Sequence, residues 1–217
     1  NDDSLQPRSR ESLDIQTKAT LERNAGNING FANSIRAMRR HEIERIGLAW
    51  MSGVIDDEAS LAGMTDVYDA AIEASLQWAI QHRINDIQID EAPAAIAIIG
   101  MGRYGGREVN FSSDADVIII YRPAEGADDD QANLFARKVQ EDLRAILQGP
   151  TTFEPKIELD MDLRPEGKNG PLVRSYASCE EYYRSWASTW EHQALLRARY
   201  AAGDASLAED FLMNIAD

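Results

Sequence analysis

Two aspartates one residue apart, Asp114 and Asp116, are the residues whose type and spacing most directly indicate chemistry. The apolar residues 117–120 follow them and are typical of a buried strand. Because residues two apart on a strand point to the same side, we expect the two carboxylates to converge. Mg²⁺ prefers hard oxygen ligands and keeps room for substrate phosphates, so the pair predicts a magnesium site.

A second acidic segment is expected to complete a two-metal site, in which the ions lie ~3.5–4 Å apart and share carboxylates. Residues 156–163 alternate apolar and acidic side chains, which predicts a further strand with Asp160 and Asp162 on its polar face. Acids in a row on one strand face repel each other, so something positive is expected over them. Both aspartates are candidates for the third carboxylate.

Glycines and hydroxyls close to the aspartate pair predict contacts with phosphate. Gly105 and Gly106 would let the backbone approach a triphosphate closely. Ser112 and Ser113 could donate hydroxyl and amide hydrogens to phosphate oxygens. The loop therefore combines the features needed to hold a nucleoside triphosphate with its metal ions.

Two other phosphate-binding motifs fit the same loop less well. The glycine spacing in residues 100–106, GMGRYGG, is also found in dinucleotide sites, but a Rossmann loop opens directly into a helix. Here residues 107–112 lead into another strand and not a helix, which favours a phosphate-facing turn. A P-loop is excluded because Gly-Lys-Ser/Thr does not occur in the chain.

The elements around this loop predict an α+β fold with a small mixed or antiparallel sheet between N-terminal and C-terminal helices. Strands are predicted over residues 94–99 and 116–121, before and after the loop, with a helix over 131–147. Further helices are predicted over 13–23, 31–50, 57–61 and 65–85 (capped by Thr65), from Glu180 (capped by Ser178) through Trp186, Trp190 and Arg197, and from near Ser206. The two tryptophans are expected in the core.

Length and chain ends indicate how this fold is organised. The 217 residues suffice for one large domain or one and a half. We divide them into a helical segment at 1–90, a core sheet at 91–176 and C-terminal helices at 177–217. Because the chain begins with Asn1 and stops inside an apolar helical pattern, we expect it to be a piece of a longer protein.

Composition limits the possible partners. The formal net charge of −15 repels nucleic-acid phosphates, whereas a nucleotide bound with divalent cations remains possible because the metals supply positive charge. No apolar run approaches the ~18 residues of a membrane helix, so no membrane contact is expected. The single cysteine, Cys179, excludes an internal disulfide, is expected to be partly buried and inert, and fits a cytoplasmic protein.

Three blocks of the chain resemble, in the right order, the glutamine synthetase adenylyltransferase family of the polymerase β-like nucleotidyltransferase superfamily. They are residues 100–121, GMGRYGGREVNFSSDADVIIIY; residues 159–175, LDMDLRPEGKNGPLVRS; and residues 186–204, WASTWEHQALLRARYAAGD. The resemblance runs at least from residue 36 to residue 204.

The resemblance implies a set of site residues. Asp114 and Asp116 match the metal-binding pair and Asp160 matches the third acid, so these three are the expected catalytic and metal residues. Asp162 falls where many relatives have Arg, which leaves open whether it also binds metal. The expected nucleotide-binding residues are Gly102, Arg103, Gly105, Gly106, Ser112, Ser113, Arg164 and Lys168.

The resemblance also implies an activity. Family members carry two related nucleotidyltransferase halves, of which one transfers AMP from ATP to a tyrosine of glutamine synthetase and the other removes it with phosphate. The three blocks favour the adenylylating half, a Mg²⁺-dependent regulator of nitrogen assimilation. The alternatives are the AMP-removing half and a regulatory module that senses nucleotide without turnover. Glutamine synthetase and, through other parts of a longer chain, a PII-type signalling protein are the implied partners.

Overall fold

The structure is a computed structural model that describes residues 5–150 and 154–216. Its helices are α1 (Arg10–Arg23), α2 (Ile28–Met51), α3 (Asp57–Ile87), α4 (Gly102–Gly105), α5 (Asp129–Gln148), α6 (Tyr176–Ser185), α7 (Thr189–Leu195) and α8 (Ala205–Phe211). Its strands are β1 (Ala94–Gly100), β2 (Ala115–Pro123), β3 (Leu159–Asp160), β4 (Val173–Ser175) and β5 (Arg199–Gly203). A 3₁₀ turn spans Gly167–Asn169, and a π turn spans Leu212–Ala216.

The five strands form one mixed sheet in the order β3-β2-β1-β5, with β4 also paired to β2 farther along that strand. β1 is antiparallel to both β2 and β5, whereas β2 is parallel to both β3 and β4. This arrangement confirms the predicted α+β class with a small mixed sheet, as in polymerase β-like nucleotidyltransferases.

Both faces of the central strands are buried, which explains their nearly continuous apolar sequence. Ile98 and Val117 pack with the core formed by α2, α3 and α5. Ile99 and Ile118 point to the opposite face and pack against α6 and α8, where Cys179 and Phe211 lie. Cys179 is fully buried, and burial raises the pKa of its thiol to about 12, so the expectation of an inert cysteine is confirmed.

The predicted break between two helices at residues 61–65 is wrong, because α3 continues through it. The helix is capped by Asp56, whose side chain accepts a hydrogen bond from the Ala59 N–H at 2.8 Å. Thr65 is buried inside the helix and its hydroxyl donates to the Leu61 carbonyl at 2.8 Å. Gly63 is a packing residue here, since a Cβ at that position would lie 3.0 Å from the Cβ of Pro7.

The predicted long helix after residue 180 is also wrong. Ser175, not Ser178, caps α6, which ends at Ser185, and α7 follows as a separate helix. Residues 199–203 then form β5 on the edge of β1 that β2 leaves open. Trp186 and Trp190 lie at this interruption and are 75% and 52% exposed to solvent. The prediction that both belong to the core is therefore wrong.

The acidic segment predicted as a strand over 156–163 alternates in burial as expected, with Ile157, Leu159 and Met161 inside. Only Leu159–Asp160 pairs with the sheet, and the chain turns at Asp162. Elsewhere, the predicted strands at 94–99 and 116–121 and the helices at 31–50 and 131–147 are confirmed with slightly longer bounds.

The predicted segments 1–90, 91–176 and 177–217 are described only in part. Residues 1–4, 151–153 and 217 lie outside the described residues. The division into these segments stays a prediction, although β5 comes from the third of them. Over residues 5–150 and 154–216, no helix has the length and apolar character needed to cross a membrane.

Candidate active site

Strand register brings the predicted carboxylates to one edge of the sheet. β2 and β3 run parallel with Asp116 opposite Asp160. Partners opposite each other in a ladder project to the same face, and Asp114, two residues before Asp116, lies on that side as well. Acids about forty residues apart in the chain are therefore neighbours because of one short strand pairing.

The Asp116 carboxylate is half-buried, and its surroundings disfavour its ionised form. Burial raises its pKa to about 6, and the charges of Asp114 and Asp160 add to the shift. The backbone N–H and the side chain of Arg103 act in the opposite direction and favour the ionised form. The pKa shift thus reports that the three carboxylates interact with one another.

Gly102 allows the Asp116 carboxylate to lie against the backbone of α4. Its φ is +52°, and a Cβ there would come within 2.3 Å of Asp116 Oδ2. A side chain at position 102 would therefore collide with the carboxylate. The glycine thus positions the acid, a role that its spacing in the sequence does not reveal.

The residues fit Mg²⁺ by donor chemistry and by charge. All three donors are carboxylates, and a divalent cation would relieve the repulsion that raises the pKa of Asp116. Among the described residues, no three acidic, histidine or cysteine side chains are gathered closely enough to form a ready metal cluster. Asp160 Oδ1 instead accepts a hydrogen bond from the Asp162 N–H at 2.7 Å.

A serine-containing turn precedes Asp114 and is organised by Asn110. The Asn110 Oδ1 accepts from the Ser112 N–H at 3.0 Å and from the hydroxyls of Ser112 and Ser113 at 3.2 and 3.0 Å. The Tyr68 hydroxyl donates to the Ser113 carbonyl at 3.0 Å and accepts from Arg39 at 2.7 Å. Sequence reasoning missed Asn110, although an Asn two residues before a serine is a known turn signal.

A cleft of ≈ 580 Å³ opens beside this turn. It brings together six of the predicted site residues, which are Ser112, Ser113, Asp114, Asp160, Arg164 and Lys168. Glu158 and Arg144 also line it and were not predicted. Asp116 and the glycine segment are not part of its wall, although Asp116 lies opposite the cleft residue Asp160 in the strand pairing.

The glycine segment contains the single-turn helix α4, after which a loop leads into β2, so the prediction that a strand and not a helix follows the glycines is confirmed. A Cβ at Gly105 would lie 2.1 Å from the Arg197 carbonyl, and one at Gly106 would lie 3.1 Å from the Arg197 guanidinium. These two glycines therefore permit close packing against the segment that leads into β5. Their predicted contact with the nucleotide stays a prediction, as does that of Gly102 and of Arg103.

The two predicted phosphate-binding cations differ in their availability. Arg164 is only 7% exposed and donates to the carbonyls of Met161, Lys168 and Gly170, at 2.7, 3.1 and 2.9 Å. Lys168 has an 81% exposed side chain, and its ammonium lies 3.2 Å from Asp162. The Asp162 carboxylate also lies 3.6 Å from the Arg164 guanidinium, so it is paired with two cations of the loop. Asp160 has no such ion pair among the described residues, which favours Asp160 over Asp162 as the predicted third acid.

Comparison with known proteins identifies the family to which the chain belongs. The chain matches the family model described as glutamate-ammonia ligase adenylyltransferase over residues 1–214. A protein of Bifidobacterium longum (strain DJO10A), named bifunctional glutamine synthetase adenylyltransferase/adenylyl-removing enzyme, is 75% identical over 217 residues, or 100% of this chain and 20% of that protein.

Mycobacterial proteins of the same name are more distant. The protein of Mycobacterium tuberculosis (strain ATCC 25618 / H37Rv) is 46% identical over 177 residues, or 82% of this chain and 18% of that protein. The protein of Mycobacterium avium (strain 104) is 44% identical over 180 residues, or 82% of this chain and 18% of that protein. The chain therefore spans about a fifth of the length of the curated relatives that it matches.

Proposed function

Because the chain belongs to the glutamate-ammonia ligase adenylyltransferase family, we propose that it is a Mg²⁺-dependent nucleotidyltransferase domain that moves AMP from ATP to a tyrosine of glutamine synthetase. The observation that carries this proposal is the register of β2 and β3, which aligns Asp116 with Asp160 beside Asp114. Carboxylates that neighbouring strands bring to one edge of a sheet, beside a cleft, are what a metal-dependent phosphoryl transfer requires.

In this proposal Asp114, Asp116 and Asp160 hold Mg²⁺. When bound, the metal would stabilise negative charge on the triphosphate and on the attacking oxygen. Gly102 leaves room for the Asp116 carboxylate, which the Arg103 N–H holds in place. We assign to Asp160 the further role of accepting the proton of the tyrosine hydroxyl.

The cleft residues bind and orient the nucleotide. The hydroxyls of Ser112 and Ser113, which line the cleft, donate to phosphate oxygens after turning away from Asn110. The exposed Lys168 ammonium exchanges its contact with Asp162 for a phosphate oxygen. Arg164 keeps the loop around Lys168 in shape through its three carbonyl contacts.

The same residues suit the reverse chemistry, in which phosphate releases AMP from modified glutamine synthetase as ADP. The relatives are named for both activities, which keeps this second function as a candidate. A module that only binds nucleotide is disfavoured, because it would not need all three acids. A PII-type signalling protein is proposed to act through other parts of a longer chain.

Transfer of labelled AMP from ATP to purified glutamine synthetase tests the proposal. We expect Mg²⁺-dependent labelling that the double variant Asp114→Asn with Asp116→Asn abolishes. Glu125→Gln, at an exposed position in the turn after β2, serves as the control and should label normally. Absence of labelling together with phosphate-dependent release of ADP from modified glutamine synthetase would instead establish the AMP-removing function.

A further inference from the structure

A second groove, of ≈ 770 Å³, lies between α5 and the segment that leads into β4. A polar stripe of α5 forms one wall, and residues 171–173 form the other. Arg144 and Leu172 line both this groove and the acid cleft, so the two are continuous. A ligand in the groove would therefore extend toward Asp160.

One wall of the groove contains a buried donor without an acceptor. Gln140 is only 5% exposed, and its side-chain Nε2 has no hydrogen-bond partner among the described residues. Buried amides in folded proteins are nearly always paired, because leaving one unpaired destabilises the protein. Because Gln140 lines the groove, a rotation of its side chain would let this amide donate to a carbonyl oxygen of a ligand there.

The groove is also positively charged, although the chain as a whole carries −15. Arg137 and Arg144 line it, and neither is paired with a carboxylate in the part of the chain that the structure describes. The acid on the same wall, Glu141, is paired with Lys138 at 2.7 Å. The groove thus offers two exposed guanidinium groups without a direct carboxylate contact among the described residues, although Glu141 interacts with Arg137 at longer range and Arg144 donates to Gln148 at 3.1 Å.

The spacing of these groups suits an extended peptide. Arg137 and Arg144 are seven residues apart on α5, which corresponds to about 10.5 Å along a helix. Carboxylates four residues apart on an extended chain point to the same side and are separated by about 13 Å, a span that the long arginine side chains can adjust to, with backbone carbonyls between them. Among the described strands, β4 pairs only with β2, so an extended segment beside it would follow the direction of the sheet.

We propose that the groove between α5 and β4 binds an extended acidic segment of the protein that receives AMP and leads its tyrosine into the acid cleft. This inference rests on the proposed function for the identity of the partner. The binding of an acidic peptide to the groove can nevertheless be measured without any transfer of AMP.

The probe is a fluorescein-labelled peptide with two aspartates four positions apart followed by a tyrosine, together with a matched peptide carrying asparagines. Binding is measured by fluorescence anisotropy with a protein that carries this chain. Arg137→Glu should weaken the acidic peptide by at least about fivefold and remove the preference over the asparagine peptide. The control Lys18→Glu makes a charge reversal at an exposed position on α1, away from the groove, and should alter affinity by less than about twofold.

Gln140→Leu separates a ligand contact from a structural role. We expect it to weaken the acidic peptide without lowering the melting temperature, since the buried amide has no partner to lose among the described residues. A lower melting temperature with unchanged peptide affinity would overturn the assignment of Gln140 to a ligand.

Two results would overturn the proposal as a whole. Equal losses in Arg137→Glu and Lys18→Glu would show a general charge effect. A raised Kd for ATP in Arg137→Glu, with peptide affinity unchanged, would make the groove part of the nucleotide site. A protein that binds the acidic peptide as expected but transfers no AMP would contradict the proposed function and leave the groove intact.

Discussion

At the scale of single residues, the site depends on how closely Asp116 approaches Gly102. The carboxylate occupies the space that a Cβ would fill, and the glycine has a backbone conformation that L side chains rarely adopt. The geometry of the proposed metal-binding acids is therefore set in part by a residue that contributes no chemical group. A substitution at Gly102 tests this contact, and a substitution at Asp116 tests the effect of the carboxylate charge.

Gly102→Ala should lose most of its AMP transfer and destabilise the fold by about 1–3 kcal/mol, because it combines backbone strain with a clash against the metal acid. Gly126→Ala is the matched control, since Gly126 has a φ of +77° and a Cβ there would meet nothing within 4 Å. It should lose about 1 kcal/mol and keep full activity. Urea unfolding and the labelling assay measure the two effects, and equal activity losses in both variants would contradict the role of Gly102.

Asp116→Asn should raise the melting temperature of the metal-free protein at about pH 7.5. The folded-state pKa of about 6 lies above the ordinary value of 3.8, so ionisation of Asp116 destabilises the fold, with the full effect present above pH 6. The advantage of the variant should shrink as the pH falls from about 6 to about 4 and vanish below that range. Mg²⁺ at the higher pH should stabilise only the wild type. If the melting temperature of the variant exceeds that of the wild type by the same amount at every pH, ionisation of Asp116 does not destabilise the fold.

The acids themselves could be predicted from the sequence, because their spacing and the strand pattern are local features. The roles of Asn110 and Tyr68 could not be predicted in this way. They depend on a turn and a helix that come together only in the folded chain. The assignment of Gly105 to close packing likewise required the position of Arg197, which is distant in the chain.

At the scale of elements, the strands around the site were predictable because both faces are buried and the apolar runs are continuous. β5 was not, since residues 199–203 follow a helical pattern and become a strand only by pairing with β1. The continuation of α3 through Gly63 and Thr65 was missed for a related reason. Packing against a neighbour decided the outcome in both cases, and local propensity did not.

An ion pair between Arg199 of β5 and Asp69 of α3 holds these two elements together. Arg199 donates to both oxygens of Asp69, at 2.8 and 3.1 Å, and to the Tyr104 carbonyl. Asp69 is buried and also lies near Arg10 and Arg107. The pair therefore has the burial and the bidentate geometry that make the loss of one partner costly.

Asp69→Ala should therefore destabilise the protein by about 3–5 kcal/mol, because it leaves Arg199 largely buried without its partner. The control is Glu108→Ala, which removes the exposed pair between Glu108 and Arg197 and should change stability by less than about 1 kcal/mol. Urea unfolding measures both variants. Similar losses in the two would contradict a dominant role for the buried pair.

At the scale of the whole molecule, the net charge of −15 means that the folded chain repels itself. Raising NaCl from about 20 to about 200 mM should raise the melting temperature, because screening over a Debye length of about 10 Å or less weakens this repulsion. Choline chloride at the same ionic strength should give the same shift. A shift with NaCl alone would indicate specific ion binding instead of screening.

The central claim is that the pairing of β2 with β3 makes Asp160, and not Asp162, the third acid of a nucleotidyltransferase site. The most direct test compares Asp160→Asn with Asp162→Asn in Mg²⁺-dependent transfer of AMP to glutamine synthetase. We predict that Asp160→Asn lowers the rate by about 10³-fold or more, whereas Asp162→Asn keeps it within about tenfold. A larger loss in Asp162→Asn, or full activity in Asp160→Asn, would contradict this assignment.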